Sequence, residues 1–122
     1  MQKEVIISSK APLLAGAPVS PAMRIGQFVF TSGQIADDAK ADIKMQTRQA
    51  LEKIKALIEA ARTSMDNVVK CTVYMTNLDE WPSMNEIYRE FFKNNPPARS
   101  AVQVSRLVGG FKVEIEAIAY AP

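Results

Sequence analysis

Apolar residues return at every third or fourth position through one long stretch in the middle of the chain. The spacing runs from Ala50 to Ala61, with charged and amide side chains between the apolar ones. Because this spacing gathers apolar residues on one side of a helix, it predicts an amphipathic helix over residues 42–62. Asp42 stands where its side chain can cap the N-terminus of that helix.

The same period predicts a second, shorter helix. Asp79 is placed to cap its start, Pro82 falls in its first turn, where proline is tolerated, and the Asn-Asn-Pro-Pro run at 94–97 marks its end. We interpret the apolar stripe of this helix as packing surface. The stripe consists of Trp81, Met84, Tyr88 and Phe91.

Strict alternation of apolar and polar residues predicts strands elsewhere in the chain. Within residues 68–76 it places Val69, Cys71, Val73 and Met75 on one face, so Cys71 is interpreted as a core residue. The other predicted strand regions are 5–7, a hairpin over 23–35 that turns at Gly26-Gln27, and a C-terminal hairpin with arms at 97–107 and 111–119.

In the C-terminal hairpin the alternation places Arg99 and Glu114 on facing strands, both on the side away from the core. A two-residue turn at Gly109-Gly110 would offset these side chains by about six residues, which is too far for one small molecule at ~3.3 Å per residue. Two alternatives remain open. Either the connecting loop is longer and the register is shifted, or the two side chains meet across subunits.

The predicted order is strand, hairpin, helix, strand, helix, hairpin, which indicates an α/β (α+β) domain with two helices on one face of a mixed sheet. We expect a single domain over residues 1–122. The uncovered sheet face is predicted to be more apolar than a solvated face usually is, since it would carry Thr72, Tyr74, Ala101 and Ile118. Self-association through that face would create clefts between subunits.

Composition excludes several classes of chemistry. The chain has no histidine and a single cysteine, which removes Ser-His and Cys-His nucleophile pairs, most zinc sites and any internal disulfide. Lys and Arg total 15 against 13 Asp and Glu, and the basic residues are dispersed, so a nucleic-acid partner is not favoured. With no secretion signal and no apolar run of spanning length, we expect a cytoplasmic protein without a membrane partner.

The remaining candidate chemistry is that of Arg99 and Glu114. A guanidinium can bind a carboxylate through a two-bond fork, and a carboxylate can move a proton through water, which suffices to hydrolyse a small acid without a metal ion. Ser32 and Gly33 could present a hydroxyl and an amide to an anion. Each residue also has an ordinary interpretation. Arg99 would be a solvated surface arginine and Glu114 a glutamate on the solvated face of the sheet. Ser32 and Gly33 would form a turn, and Asn85 would be a solvated helix residue.

Six segments of the chain, in order, resemble the RidA family, also called YjgF-type reactive-intermediate deaminases. They are 31–35 (Thr-Ser-Gly-Gln-Ile), 46–51, 66–70, 85–88, 97–100 (Pro-Ala-Arg-Ser) and 113–117 (Val-Glu-Ile-Glu-Ala). The resemblance implies a chorismate-mutase-like α/β fold. It also implies a homotrimer whose sheets form a central barrel, with three clefts between neighbouring subunits.

The resemblance further implies hydrolysis of 2-aminoacrylate and 2-iminobutanoate, which pyridoxal-phosphate-dependent dehydratases release, to 2-keto acids and ammonia, with no cofactor or metal. Arg99 would bind the substrate carboxylate and Glu114 would orient or deprotonate water. Gly33 and Ala101 would offer backbone amides. Ser32 would add a polar lining, and Asn85 a supporting contact.

The chain departs from the family pattern at two positions. Val19 stands where the family commonly has a cleft tyrosine, and Ala101 stands where many members have cysteine. The first departure leaves open a non-catalytic regulator or chaperone-like protein that binds small carboxylates in the same cleft. Ribonuclease activity or inhibition of translation, attributed to relatives, finds little support in the charge distribution.

Overall fold

The computed structural model describes residues 2–122, which form a six-stranded sheet in the order β1-β2-β3-β6-β4-β5 with two helices. The α+β class predicted from the periodicity is therefore confirmed. The elements are β1 (Glu4–Ile6), β2 (Ala22–Ile25), β3 (Phe28–Thr31), α1 (Ile43–Ala60), β4 (Val68–Met75), α2 (Trp81–Phe91), β5 (Ala98–Gln103) and β6 (Val113–Tyr120).

Helix α1 forms as its spacing predicts. The Asp42 side chain accepts a hydrogen bond from the Met45 amide at 2.8 Å, which confirms the N-cap. The helix ends close to the predicted position, where Arg62 adopts a left-handed φ of 70°. Its inward face is fully buried against the sheet through Ala50, Leu51, Ile54, Leu57 and Ile58.

Helix α2 starts differently from the prediction. A 3-10 turn at Leu78–Glu80 precedes it, and Asn77, not Asp79, caps that turn by accepting a hydrogen bond from the Asp79 amide at 2.9 Å. Helix α2 itself has no side-chain cap. Asn and Asp are both good caps, so composition alone did not distinguish them. Pro82 does lie in the first turn of α2.

Strand β4 contains an irregularity that alternation could not predict. Its pairing with β6 shifts register between Val68 and Lys70. The extra residue at this bulge turns Val68 inward, so that Val69 is 47% exposed instead of sharing the core face of Cys71. Cys71 itself is buried, as predicted.

The predicted C-terminal hairpin does not exist, because β4 lies between β5 and β6. Strand β5 pairs with β4 in parallel and β6 pairs with β4 antiparallel. The physical reason is α2, which carries the chain back along the sheet so that β5 runs beside β4 in the same direction. The connection after β5 is long and irregular, and Gly109 and Gly110 lie in a 3-10 turn within it, both at positive φ.

We call the side of the sheet away from the helices the open face. It carries exposed apolar side chains on β3, β5 and β6, namely Phe28, Phe30, Val102 and Tyr120. Ala101, predicted for this face, instead packs against the helix-side core, since β5 alternates in the opposite sense. Within residues 2–122, neither helix combines the length and the apolarity needed to cross a membrane.

Candidate active site

The first half of the candidate site surrounds Glu114 at the start of β6. A pocket of about 280 Å³ opens there between the segment that follows β3, the loop before β2 and the turn before β6. Ser32, Gly33 and Glu114 all line it, so the fold brings together three of the predicted site residues.

Gly33 and Glu114 are in direct contact. A Cβ atom built on Gly33 would overlap the Glu114 carboxyl group and its Cγ atom, so only glycine leaves room for this side chain in its observed position. The segment is held on both sides. The Ser32 hydroxyl donates to the Ser20 carbonyl at 2.6 Å, and the amides and carbonyls of Gln34 and Ile115 exchange hydrogen bonds at 2.8 and 3.0 Å.

Partial burial raises the pKa of the Glu114 carboxyl, and the like charge of Glu116 on the same strand raises this pKa further. The two carboxylates share the open face, since Glu114 pairs with Tyr74 and Glu116 with Thr72 on β4. A carboxyl with a raised pKa is a stronger base once it is ionised, which suits proton transfer from water.

The second half of the site surrounds Arg99 on β5. Its Nη1 donates to the Asn85 Oδ1 at 2.7 Å. The guanidinium carbon lies 4.7 Å from the centre of the Tyr88 ring and 5.7 Å from that of Trp81, within the range of a cation–π contact. These contacts fix the guanidinium, and they leave its remaining N–H groups available for an anion.

A cavity of about 590 Å³ adjoins this guanidinium. Residues from the second half of α2 and from the two prolines before β5 line it: Tyr88, Arg89, Phe92, Lys93, Pro96 and Pro97, together with Asn85 and Arg99. Ala101 lies nearby, where it faces Trp81 and Pro82 across a shallow groove. Asn85 is therefore a direct partner of Arg99 and not a solvated helix residue.

Beneath Arg99 the Tyr88 hydroxyl is buried beside the Cys71 thiol, without a hydrogen bond of ordinary geometry. Burial raises the pKa of the Cys71 thiol to about 11 and raises the pKa of Tyr88 as well. Both groups are therefore neutral near pH 7. Their side chains pack beneath the guanidinium of Arg99.

The two halves lie on opposite faces of the sheet, which corrects the prediction that Arg99 points away from the core. Arg99 pairs with Cys71, whose side chain faces the helices, whereas Glu114 pairs with Tyr74 on the open face. Cys71 and Tyr74 are also about 10 Å apart along β4. One chain therefore cannot hold a small molecule between Arg99 and Glu114. Of the two alternatives left open by the sequence, the connection between β5 and β6 is indeed longer than a two-residue turn, but it does not bring the two side chains together.

Comparison with known proteins places this arrangement in a family. The family model described as Endoribonuclease L-PSP matches residues 9–121. The chain is 49% identical over 124 residues to a RutC family protein of Pyrococcus horikoshii, which covers 97% of this chain and 98% of that protein.

Two Escherichia coli proteins are also similar. The one named "Putative reactive intermediate deaminase TdcF" is 40% identical over 125 residues, with 96% of each chain covered. Its crystal structure with bound serine superposes with a TM-score of 0.91, at 38% identity over 98% of this chain and 99% of that one. The YjgF gene product superposes with a TM-score of 0.91, at 35% identity over 98% and 99% of the two chains.

The chain belongs to the RidA family.

Membership confirms the family resemblance of the sequence motifs and the fold that it implied. The RidA family motif around residues 97–100 places Arg99 against α2, and the motif around 113–117 places Glu114 against Gly33. The assignment of roles to Arg99, Glu114, Ser32, Gly33, Asn85 and Ala101 stays a prediction.

Sequence reasoning missed the surroundings of both groups. The apolar helical stripe predicts packing roles for Trp81 and Tyr88, and Tyr88 is indeed buried in the core. Trp81, however, is 44% exposed, and both rings flank Arg99. The pocket residues beside Glu114 come from loops without a periodic pattern. Only proximity in the fold identifies them, and they include Leu13, Leu14, Val108 and Phe111.

Proposed function

We propose that this protein hydrolyses reactive 2-imino and 2-enamino acids, such as 2-iminobutanoate and 2-aminoacrylate, to 2-keto acids and ammonia. The observation that carries the proposal is a pair of complementary groups in a chain without histidine. Arg99 is a guanidinium held in place by Asn85 and two rings, and Glu114 is a half-buried carboxyl with a raised pKa. The name of TdcF and the serine bound in its structure support a site for small amino-acid-like carboxylates.

In this mechanism Arg99 binds the substrate carboxylate through two parallel N–H···O bonds. Ionised Glu114 accepts a proton from a water molecule as the water oxygen attacks the imine carbon. The proton then passes to the nitrogen, which gives a carbinolamine. Glu114 next takes the proton of the new hydroxyl group and passes it to the nitrogen, so that the C–N bond breaks and ammonia leaves as the carbonyl of the 2-keto acid forms. An enamine first tautomerises to the imine, since its terminal carbon gains a proton and its nitrogen loses one. Imines already hydrolyse in water, so positioning and proton transfer are the contributions required of the protein.

Because Arg99 and Glu114 lie on opposite faces of the sheet, the mechanism requires two chains. We propose a homotrimer in which the open faces form the interior and each cleft takes Arg99 from one subunit and Glu114 from the next. The exposed apolar side chains of β3 and β6, Phe28, Phe30 and Tyr120, supply surface that such an interface would bury. Light scattering on the purified protein tests the trimer, and a monomer at assay concentrations would exclude the shared cleft.

A coupled assay tests the activity. We expect the protein to accelerate keto-acid release when a pyridoxal-phosphate-dependent serine or threonine dehydratase supplies the imine, and to need no added metal or cofactor. The dehydratase rate, measured by loss of its amino acid, should stay constant, so that the gain is assigned to imine hydrolysis. Equal keto-acid release with and without the protein would contradict the proposal.

A non-catalytic carboxylate-binding regulator is the second candidate, favoured by Val19 in place of the cleft tyrosine. It predicts that the wild-type protein binds 2-oxobutanoate in calorimetry yet leaves imine hydrolysis unchanged. Ribonuclease activity, suggested by the description of the family model, would instead appear as RNA cleavage that Arg99→Ala abolishes.

The raised pKa of Glu114 predicts the pH dependence of the reaction. The base must be ionised, so kcat/KM should fall as the pH drops through the pKa of Glu114, which lies above its ordinary value of 4.5. The falling part of the pH profile at low pH is its acid limb. Replacing Glu116 with glutamine removes a like charge, lowers the pKa of Glu114 and should therefore move the acid limb to lower pH. A limb that stays in place in Glu116→Gln would show that another group controls it.

A further inference from the structure

Beyond the reaction itself, we propose that the pocket beside Glu114 selects imino acids with branched or extended apolar side chains, of about the size of leucine, over small or polar ones. The inference rests on the proposed function and names its substrate class. It is carried by a group of residues that we call the apolar wall, consisting of Leu13, Leu14, Val19, Val108 and Phe111.

The apolar wall is accessible to a ligand. Leu14 and Val19 are each 51% exposed and Val108 is 58% exposed, although all three line the same pocket as Glu114. Isolated exposed apolar residues are normal on a protein surface. Here they converge from two separate loops on a concavity of about 280 Å³, close to the lower end of the range for small-molecule sites.

The chemistry of the substrate determines which of its parts meets the apolar wall. The imine carbon carries three substituents: the nitrogen, the carboxylate and the side chain. The carboxylate is directed to Arg99, and the imine carbon must lie near Glu114 for water to attack it. The side chain is then the remaining substituent, and it occupies the rest of the Glu114 pocket. The apolar wall lines that part of the pocket, so the side chain contacts it.

The charged residues of the pocket offer no partner for an acidic side chain. Besides Glu114, the pocket is lined by Asp37 and Lys53, which form an ion pair at 2.9 Å. Lys53 also donates to the Ile35 carbonyl at 2.8 Å, and its side chain is only 12% exposed. An acidic side chain would in addition be repelled by Glu114, so it would lose hydration without compensation.

Imines derived from leucine, asparagine and alanine test the selection, because leucine and asparagine have side chains of nearly the same shape. An amino-acid oxidase with catalase would generate each imine, and kcat/KM for its hydrolysis would be measured. Transfer of apolar surface gives about fourfold per buried methylene, from ~0.8 kcal/mol each. The leucine side chain has three more carbons than that of alanine, so we expect a preference of up to about 60-fold for the leucine imine over the alanine imine. We expect about tenfold or more over the asparagine imine.

Two variants connect the preference to the apolar wall. Val19→Thr adds a hydroxyl at constant shape and Leu14→Asn replaces an apolar group with an amide, and each should lower the leucine-to-asparagine ratio several-fold. Val69→Thr is the matched control, because Val69 is a similarly exposed residue at the β4 bulge outside the pocket, and it should leave the ratio unchanged.

The outcomes separate the two proposals. If the wild-type protein accelerates all three imines equally, or if Val19→Thr and Leu14→Asn keep the wild-type ratio, the apolar wall does not select the substrate while the deaminase proposal stands. If no imine is accelerated, the proposed function fails and the selectivity fails with it.

Discussion

Replacing Arg99 with alanine should reduce kcat/KM for imine hydrolysis by about 100- to 10,000-fold. Two charge-assisted hydrogen bonds to the substrate carboxylate are lost, each contributing ~1.5–3 kcal/mol. Arg99→Lys keeps the charge but loses the planar fork and the pre-aligned contact with Asn85, so it should recover only part of the activity. The dehydratase-coupled assay measures both variants, and circular dichroism checks that they fold.

Arg48→Ala is the matched control for this prediction. Arg48 is exposed on α1, where it pairs with Glu90, and exposed ion pairs of this kind contribute little to stability. It should therefore retain wild-type kcat/KM. An Arg99→Ala protein with wild-type kinetics would remove the basis for the proposed site.

Mixing variants tests whether the site is shared between subunits. Arg99→Ala and Glu114→Ala proteins should each be inactive alone. If each cleft takes one residue from each of two chains, a refolded equal mixture should regain about a quarter of wild-type activity, because half of the chains can supply each residue. A mixture as inactive as its components would place both residues in a single-chain site or outside the site.

Glu114→Gln should lower kcat by about 100-fold or more, since general-base catalysis typically contributes about 10²–10⁴-fold. Glutamine has the same shape as glutamate and fits against Gly33, so binding of the substrate carboxylate and KM should change much less. Single-turnover measurements with excess protein separate the chemical step from binding. The acid limb of the pH profile should disappear in this variant.

Gly33→Ala provides a second test that leaves the carboxyl group in the chain. The added Cβ would occupy the position of the Glu114 carboxyl, which must move, so kcat should fall although Glu114 is intact. Glu116→Gln is the control on the same strand and should retain most of the activity while shifting its pH dependence. Full activity in both Glu114→Gln and Gly33→Ala would assign the base to another group.

Local rules predicted the elements of this fold accurately. The spacing of Ala50 to Ala61 and the cap at Asp42 determine α1, and the turn at Gly26-Gln27 determines the β2–β3 hairpin, because these features depend on neighbours in sequence. Where two solutions were locally equivalent, the prediction was wrong. Asn77 instead of Asp79 caps the turn before α2, and a bulge exchanges the faces of Val68 and Val69.

The sequence alone determined the chemical inventory: a chain without histidine, with its candidate guanidinium and carboxylate in motifs that identify the family. Only the tertiary structure decided how these groups are arranged. Helix α2 makes β5 run parallel to β4, which separates Arg99 from Glu114 by a strand and by a sheet face. Strand pairing and the meeting of distant loops depend on contacts far apart in sequence. No local pattern could therefore show that Arg99 and Glu114 lie on opposite faces of the sheet, or that apolar loop residues surround Glu114.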